Sequence, residues 1–327
     1  MKLHEYKNAF EGAVAATAQH FNISEVFIEK DYWVTYALKQ IFQNENTKDI
    51  AVFKGGTSLS KCYKIINRFS EDIDIIVAQE PDETGTSLKK KLKLITDTVD
   101  GFLSPVPNHP LENKKGKIRK LVYEYHKIGA RRSFGEINDH IVVEASVLGN
   151  PDPHKKAFVH SMIAQFIGTT NNHDLIKTYE LEPFEVKVLS LERTFCEKII
   201  SLVRFSYTKN PLADLSGKVR HTYDLFQLLQ QPEILKFLNS NSFEEMLNQV
   251  GEDDNKAIPN DKAWISLHPA DSLFFSRTNE VWETMRKSYQ SNFKEMVFSD
   301  LPDEKKVLAA SITIGNRLKE IQWRVTD

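Results

Sequence analysis

Along the first third of the chain the spacing of apolar positions changes several times, and each change marks a predicted element. From Glu5 to about Phe21, the residues Phe10, Ala13, Val14 and Ala18 recur at three and four, which is one face of a helix. Asn22-Ile23-Ser24 breaks that pattern. Ser24 then reads as the N-cap of a second helix carrying Ile28, Tyr32, Ala37, Ile41 and Phe42 and ending near Asn44. Its middle, Glu29-Lys30-Asp31-Tyr32-Trp33, is unusually rich in charge and aromatics. The short apolar run Ile50 to Phe53 ends at Lys54-Gly55-Gly56, after which Thr57 caps a helix with Leu59, Tyr63 and Ile66 on one face. Strand, tight turn and helix follow in that order. Phe69 to Val77 alternates at period two and then becomes wholly apolar, as a strand does on passing from a site into a core.

Thr86 to Leu103 reads as a basic helix with Lys89, Lys90, Lys91 and Lys93. Beyond the loop of Pro105, Pro107 and Pro110, the segments Lys117 to His126 and His140 to Leu148 read as neighbouring antiparallel strands joined by a basic, glycine-containing connection. From about Glu185 the pattern turns helical, at Leu189 to Phe205, Arg220 to Leu229, Ile234 to Leu238, Asn279 to Phe298 and Glu304 to Trp323, with Gly251 to Asp254 as a short acidic loop. A boundary near Phe184 therefore predicts two domains, 1–184 and 185–327.

Composition narrows the function classes. A length of 327 residues with 41% hydrophobic and 27% charged positions is that of an ordinary globular chain with enough apolar material for a sizeable core. The net charge of −2 excludes a dedicated nucleic-acid coat, so any polyanion must meet a local patch. Two cysteines, Cys62 and Cys196, exclude a disulfide framework or a paired-cysteine zinc site. With polar residues at Met1 to Lys7 and no long apolar run, the expectation is a soluble, cytoplasmic, unexported protein with no membrane partner.

The strongest chemical signal is Gly55-Gly56-Thr57-Ser58 followed by Asp72-Ile73-Asp74. Two glycines between strand and helix let backbone N–H groups approach a phosphate. Residues i and i+2 of a strand share a face, which sets the two carboxylates about 7 Å apart at Cα. Such a pair is costly without a cation, and Mg²⁺ shares itself between carboxylates and substrate phosphates. An isolated acid pair of this kind is more often solvated strand edge; the glycine turn before it favours the site. No Walker, dinucleotide-binding or protein-kinase loop is present. Glu144 stands in the otherwise apolar Ile141 to Val147 and needs a partner if it faces inward. Lys198 and Asp224 are, taken singly, ordinary helix residues.

Phe53-Lys54-Gly55-Gly56-Thr57-Ser58-Leu59-Ser60-Lys61 with Arg68-Phe69-Ser70-Glu71-Asp72-Ile73-Asp74 resembles the nucleotidyltransferase signature in its AbiEii/AbiGii toxin variant. Ile28 to Val34, the Glu144 strand, Leu191 to Lys198 and Tyr223-Asp224-Leu225 agree in order over roughly the first 230 residues. The resemblance implies an α+β fold: a polymerase-β-like nucleotidyltransferase core with a mixed sheet flanked by helices, then an α-helical C-terminal domain completing the cleft. It implies an enzyme of the EC 2.7.7 type that uses an NTP with Mg²⁺ or Mn²⁺. It also implies a growth-arresting toxin of a bacterial toxin–antitoxin or phage-defence (abortive infection) system, with a cognate antitoxin encoded nearby and an RNA acceptor such as a tRNA 3′ end. Carried over by position, Asp72, Asp74 and Glu144 are the metal-binding carboxylates. Lys54, Gly55, Gly56, Thr57, Ser58 and Arg220 belong to nucleotide binding, and Lys198 and Asp224 contact the nucleotide or position the site.

Two departures stand out. Fifteen residues separate Gly56 from Asp72, which predicts one extra helical turn, and His221-Thr222 occupies a place where an acid is common. The expected reaction is in-line attack of a hydroxyl on the α-phosphorus, with two Mg²⁺ ions at the acids and Lys198 neutralising the triphosphate. Lys89 to Lys93, Lys114, Lys115, Lys117, Arg119, Lys120, Arg131 and Arg132 are candidate contacts to an RNA backbone. Transfer to a small molecule or a protein, and a non-catalytic nucleotide-binding regulator, are the competing readings.

Overall fold

The computed structural model describes residues 1–70, 72–128, 139–256 and 264–326, together with the backbone of Ala257. Glu71 of the acidic motif and Arg131 and Arg132 of the basic run lie outside the described residues. The chain forms two compact units. One comprises Met1–Lys64, Phe69–Val147 and His154–Val188; the other comprises Ile65–Arg68, Leu148–Pro153 and Leu189–Asp327.

The first unit is built on strands β1 (Ala51–Lys54), β2 (Ile73–Val77), β3 (Ser104–Pro105), β4 (Ile118–Glu124), β5 (Ile141–Ser146), β6 (His154–Val159) and β7 (Phe184–Leu189). They form one mixed sheet in the order β3-β4-β5-β2-β1-β7-β6. β1 runs antiparallel to β2 and β4 antiparallel to β5, whereas β2 pairs with β5, and β1 with β7, in parallel. Helices α1 (Lys7–Phe21), α2 (Glu25–Gln43), α3 (Gly55–Lys61), α4 (Gly85–Asp97), α5 (Met162–Ile167) and α6 (Asp174–Thr178) belong to the same unit. Alternate residues of the central strands, Phe53, Ile73, Ile75, Ile141 and Val143, are fully buried in a core shared with Ile28, Val34, Leu38 and Ile41 of α2. Ser24 caps α2 by accepting from the Val26 amide, and Asn22 ends α1 in the left-handed region.

The second unit is helical: α7 (Leu191–Phe205), α8 (Pro211–Ser216), α9 (Val219–Leu229), α10 (Pro232–Leu238), α11 (Asn241–Ala257), α12 (Leu273–Ser276), α13 (Thr278–Gln290) and α14 (Glu304–Leu318). Among the described residues no helix is long and apolar enough to cross a membrane.

Several local expectations are corrected. β2 begins at Ile73, because Phe69 is drawn onto the Phe27 ring, 4.5 Å away, and Ser70 meets Thr57. α3 starts at Gly55 with Lys54 as its N-cap, so Thr57 is a buried helix residue rather than a cap. It ends at Lys61, before Tyr63 and Ile66. The extra length before Asp72 is irregular chain, not an added helical turn: Lys64 takes a left-handed φ of 56° and residues 65–68 join the second unit. The stretch placed after the boundary near Phe184 opens with strand rather than helix, since Phe184, Val186 and Val188 alternate inward on β7, and residues up to Val188 belong to the first unit. Gly251 to Asp254 is helical within α11, where a Cβ on Gly251 would sit 2.3 Å from the Trp323 ring.

Candidate active site

Sheet register assembles the site. Lys54 of β1 is the partner of Asp74 on β2, Asp74 is the partner of Glu144 on β5, and Glu144 is the partner of Lys120 on β4. Registered partners project to the same face, with Cβ atoms about 5 Å apart. Four adjacent strands therefore carry one transverse row of charges, positive, negative, negative, positive. Lys120 Nζ lies 2.8 Å from Glu144 Oε2, and both side chains are about one-third exposed.

Gly55 stands against this row. Its φ of +79° suits only glycine, and a Cβ there would fall 2.2 Å from Asp74 Oδ2. The Asp74 carboxylate thus packs directly on the glycine backbone. Burial, then the neighbouring Asp72 and Glu144, push its pKa up to about 7 against the pull of Lys54 and Lys120. Burial alone would lower the pKa of Lys120, but the hydrogen bond to Glu144 and the charges of Glu144, Asp72 and Asp74 outweigh it and raise it. Asp74 therefore feels both neighbouring acids. Such a crowded acid group fits a hard cation, although among the described residues no three His, Cys, Asp or Glu side chains converge closely enough to hold a metal by themselves. Asp72 and Asp74 with substrate phosphates would suffice for Mg²⁺, which ordinarily takes one or two carboxylates.

The hydroxyls next to the bend are engaged internally. Thr57 Oγ1 donates to the Asp72 carbonyl at 2.6 Å and lies 2.9 Å from Ser70 Oγ; Ser58 Oγ donates to the Gly55 carbonyl at 2.8 Å. Thr57 consequently fixes the backbone of Asp72 to α3. What remains open to a ligand is the half-buried backbone of Gly55 and Gly56.

Lys198 and Asp224 lie in the second unit. Asp224 is fully buried, held by Arg68 through Nε to Oδ1 and Nη2 to Oδ2, both 2.7 Å, and by Lys198 Nζ at 2.7 Å. Burial alone would raise its pKa, but Arg68 and Lys198 outweigh it and hold the carboxyl far below the usual range. Arg220 stands one turn earlier on α9. Sequence reasoning named Arg68 only as the start of the acidic motif and Lys120 only as a candidate RNA contact; the pairing of Arg68 with Asp224 and of Lys120 with Glu144 joins distant segments and had no local signal.

A family described as nucleotidyl transferase AbiEii toxin, type IV toxin–antitoxin system, matches residues 36–317, a span that contains every residue of the charged row and of the buried triad. The chain belongs to that family. No curated protein matches it. In this AbiEii-family chain the Glu29 to Trp33 segment proves to be internal anchoring. Glu29 Oε1 accepts from the Ile128 amide at 2.5 Å, and Asp31 pairs with Lys61 of α3 while accepting from the Met162 amide at 2.8 Å. Much of the basic run is also paired within its own unit: Lys91 with Glu83, Lys93 with Asp97 and Lys114 with Glu112, while Arg119 donates to Thr96.

Proposed function

We propose that this AbiEii-family toxin is a Mg²⁺-dependent nucleotidyltransferase that moves an NMP from an NTP to an RNA acceptor such as a tRNA 3′ end. The observation that carries the reading is the charged row Lys54, Asp74, Glu144, Lys120, with Asp72 pinned beside it by Thr57 and Gly55 packed against Asp74. The acceptor oxygen bonds to the α-phosphorus as the bond from that phosphorus to the pyrophosphate oxygen breaks, and the hydroxyl proton passes to water. Bound Mg²⁺ would supply positive charge at the reacting phosphate. Asp72 and Asp74 hold that ion; the Gly55-Gly56 backbone lets the triphosphate approach closely; Lys54 faces its negative charge. The type IV toxin–antitoxin family supports an antitoxin partner. Growth arrest by the toxin, relief by an antitoxin encoded nearby and a phage-defence setting are part of the same proposal.

One observation favours a smaller acceptor. Lys91, Lys93, Lys114 and Lys120 already have acid partners, which weakens the RNA-facing patch. Offering each α-labelled NTP with total RNA, total protein and small hydroxyl or amine acceptors separates the readings. Label in RNA supports the proposal, and label elsewhere transfers it to the smaller or protein acceptor. Asp72→Asn removes a ligand charge with little change of volume, so it should abolish labelling without lowering the melting temperature by more than about 2 °C, less than ~1 kcal/mol for a unit of this size. Wild-type labelling by this variant would defeat the assignment.

A further inference from the structure

We infer that Asp31 is a positioning residue for the triphosphate: through Lys61 it grips the far end of α3, the helix whose first turn is the Gly55-Gly56 backbone. The inference rests on the reading of that glycine bend as the place where the triphosphate sits, and goes beyond it by naming what holds the bend still. Helix α3 has little means of holding itself. It has seven residues, Gly55 opens it at a φ of +79°, and no side chain caps its N-terminus. Isolated helices shorter than about 12 residues are marginal in water, so the place of α3 is decided by what it is tied to.

Thr57 ties the first turn, by donating to the Asp72 carbonyl at 2.6 Å. Lys61, roughly 9 Å along the axis from Gly55, ties the last turn. Its Nζ pairs with Asp31 Oδ1 and donates to Thr35 Oγ1 at 2.6 Å, both on α2. The other Asp31 oxygen, Oδ2, accepts from the amide of Met162, the first residue of α5, at 2.8 Å. One carboxylate thus joins α2, α3 and α5. The Asp31 and Lys61 side chains are only 10% and 8% exposed, so water screens the pair little. Glu29, two residues earlier on α2 and also buried, grips the Ile128 amide at 2.5 Å instead. The two acids of one helix therefore hold different parts of the unit, and Asp31 holds the part that bears the bend.

The test reads the bend without a base or an acceptor. Full-length protein in Mg²⁺ is titrated calorimetrically with inorganic tripolyphosphate, at a temperature where the thermal melt of each variant shows it folded. Wild type should bind. Asp31→Asn withdraws the charge that holds Lys61 and should bind about tenfold more weakly or worse, since even a shift of about 1 Å is costly at a positioned site. Glu29→Gln removes a buried carboxylate charge from the same helix; it should lower the melting temperature and leave the affinity unchanged. Wild-type affinity in Asp31→Asn overturns the inference, and so does an equal loss in Glu29→Gln, because affinity would then follow general loosening of the unit. Absence of binding by wild type defeats the reading of the glycine bend beneath it, so the two failures are distinct. If Asp31→Asn does not fold, Thr35→Val, which removes only the second partner of Lys61, decides: weaker binding than wild type supports the inference, and unchanged binding overturns it.

Discussion

Replacing Asp224 by Asn should destabilise the helical unit far more than a surface change would. Arg68 and Lys198 both direct their charge at this one buried carboxylate, and all three side chains are under one-tenth exposed. Asn keeps the volume but removes the carboxylate charge that both buried cations share. Breaking a buried pair in this way costs about 3–5 kcal/mol. With a urea slope of roughly 2.5 kcal/mol per molar, the midpoint should fall by about 1.5 M. Trp264, Trp282 and Trp323 all lie in the second unit, so tryptophan fluorescence follows mainly its transition, with Trp33 the contribution from the first. The same reasoning makes a counter-intuitive comparison. Replacing the whole triad by apolar residues, Arg68→Met, Lys198→Met and Asp224→Leu together, removes all three charges of the cluster and should cost less than Asp224→Asn alone. A loss below about 1 kcal/mol in Asp224→Asn, or a triple variant less stable than the single one, would show that the triad is not a buried charge cluster whose balance holds the unit together.

Three further outcomes are expected. Gly55→Ala should reduce nucleotidyl transfer more than 100-fold even where it folds, since a left-handed Cβ costs about 1–2 kcal/mol and would also displace the Asp74 carboxylate; initial rates and a melting curve check both parts. Thr57→Val loses the hydroxyl that holds the Asp72 carbonyl, which should lower stability by about 1–2 kcal/mol, a fall of several degrees by calorimetry, and slow transfer through movement of Asp72. His221 is kept well below its ordinary pKa by burial and then by Lys198 and Lys218, so it stays neutral in the fold. Its contribution to stability is present above the unfolded value near 6.5 and is lost as pH falls below it, at up to about 1.4 kcal/mol per pH unit. His221→Gln should flatten the pH dependence of the second unit's urea midpoint between pH 7 and 5, and an unchanged slope would contradict this.

Sequence alone determined the parts whose signal is local. Ser24 could be read as a cap because the Val26 amide it serves is two residues away, and the helices around Leu191 to Phe205 and Val219 to Leu229 follow from their 3.6-residue apolar period. The glycine pair, Asp72 and Asp74 were legible because their spacing is short enough to carry chemistry by itself, and the order of the motifs sufficed for the family. Tertiary structure decided everything that depends on pairing between distant segments. Nothing in the sequence says that β2 lies between β1 and β5, yet that order alone sets Lys54, Asp74, Glu144 and Lys120 in one row and turns Lys120 from a backbone-binding candidate into a neighbour of the acids. Likewise Asp224 reads as one more helix residue until Arg68, 156 positions away, is found closing on both its oxygens. Local patterns report the period of a single element; a charge's function depends on which opposite charge the fold brings within about 3 Å, and that is set by register and topology.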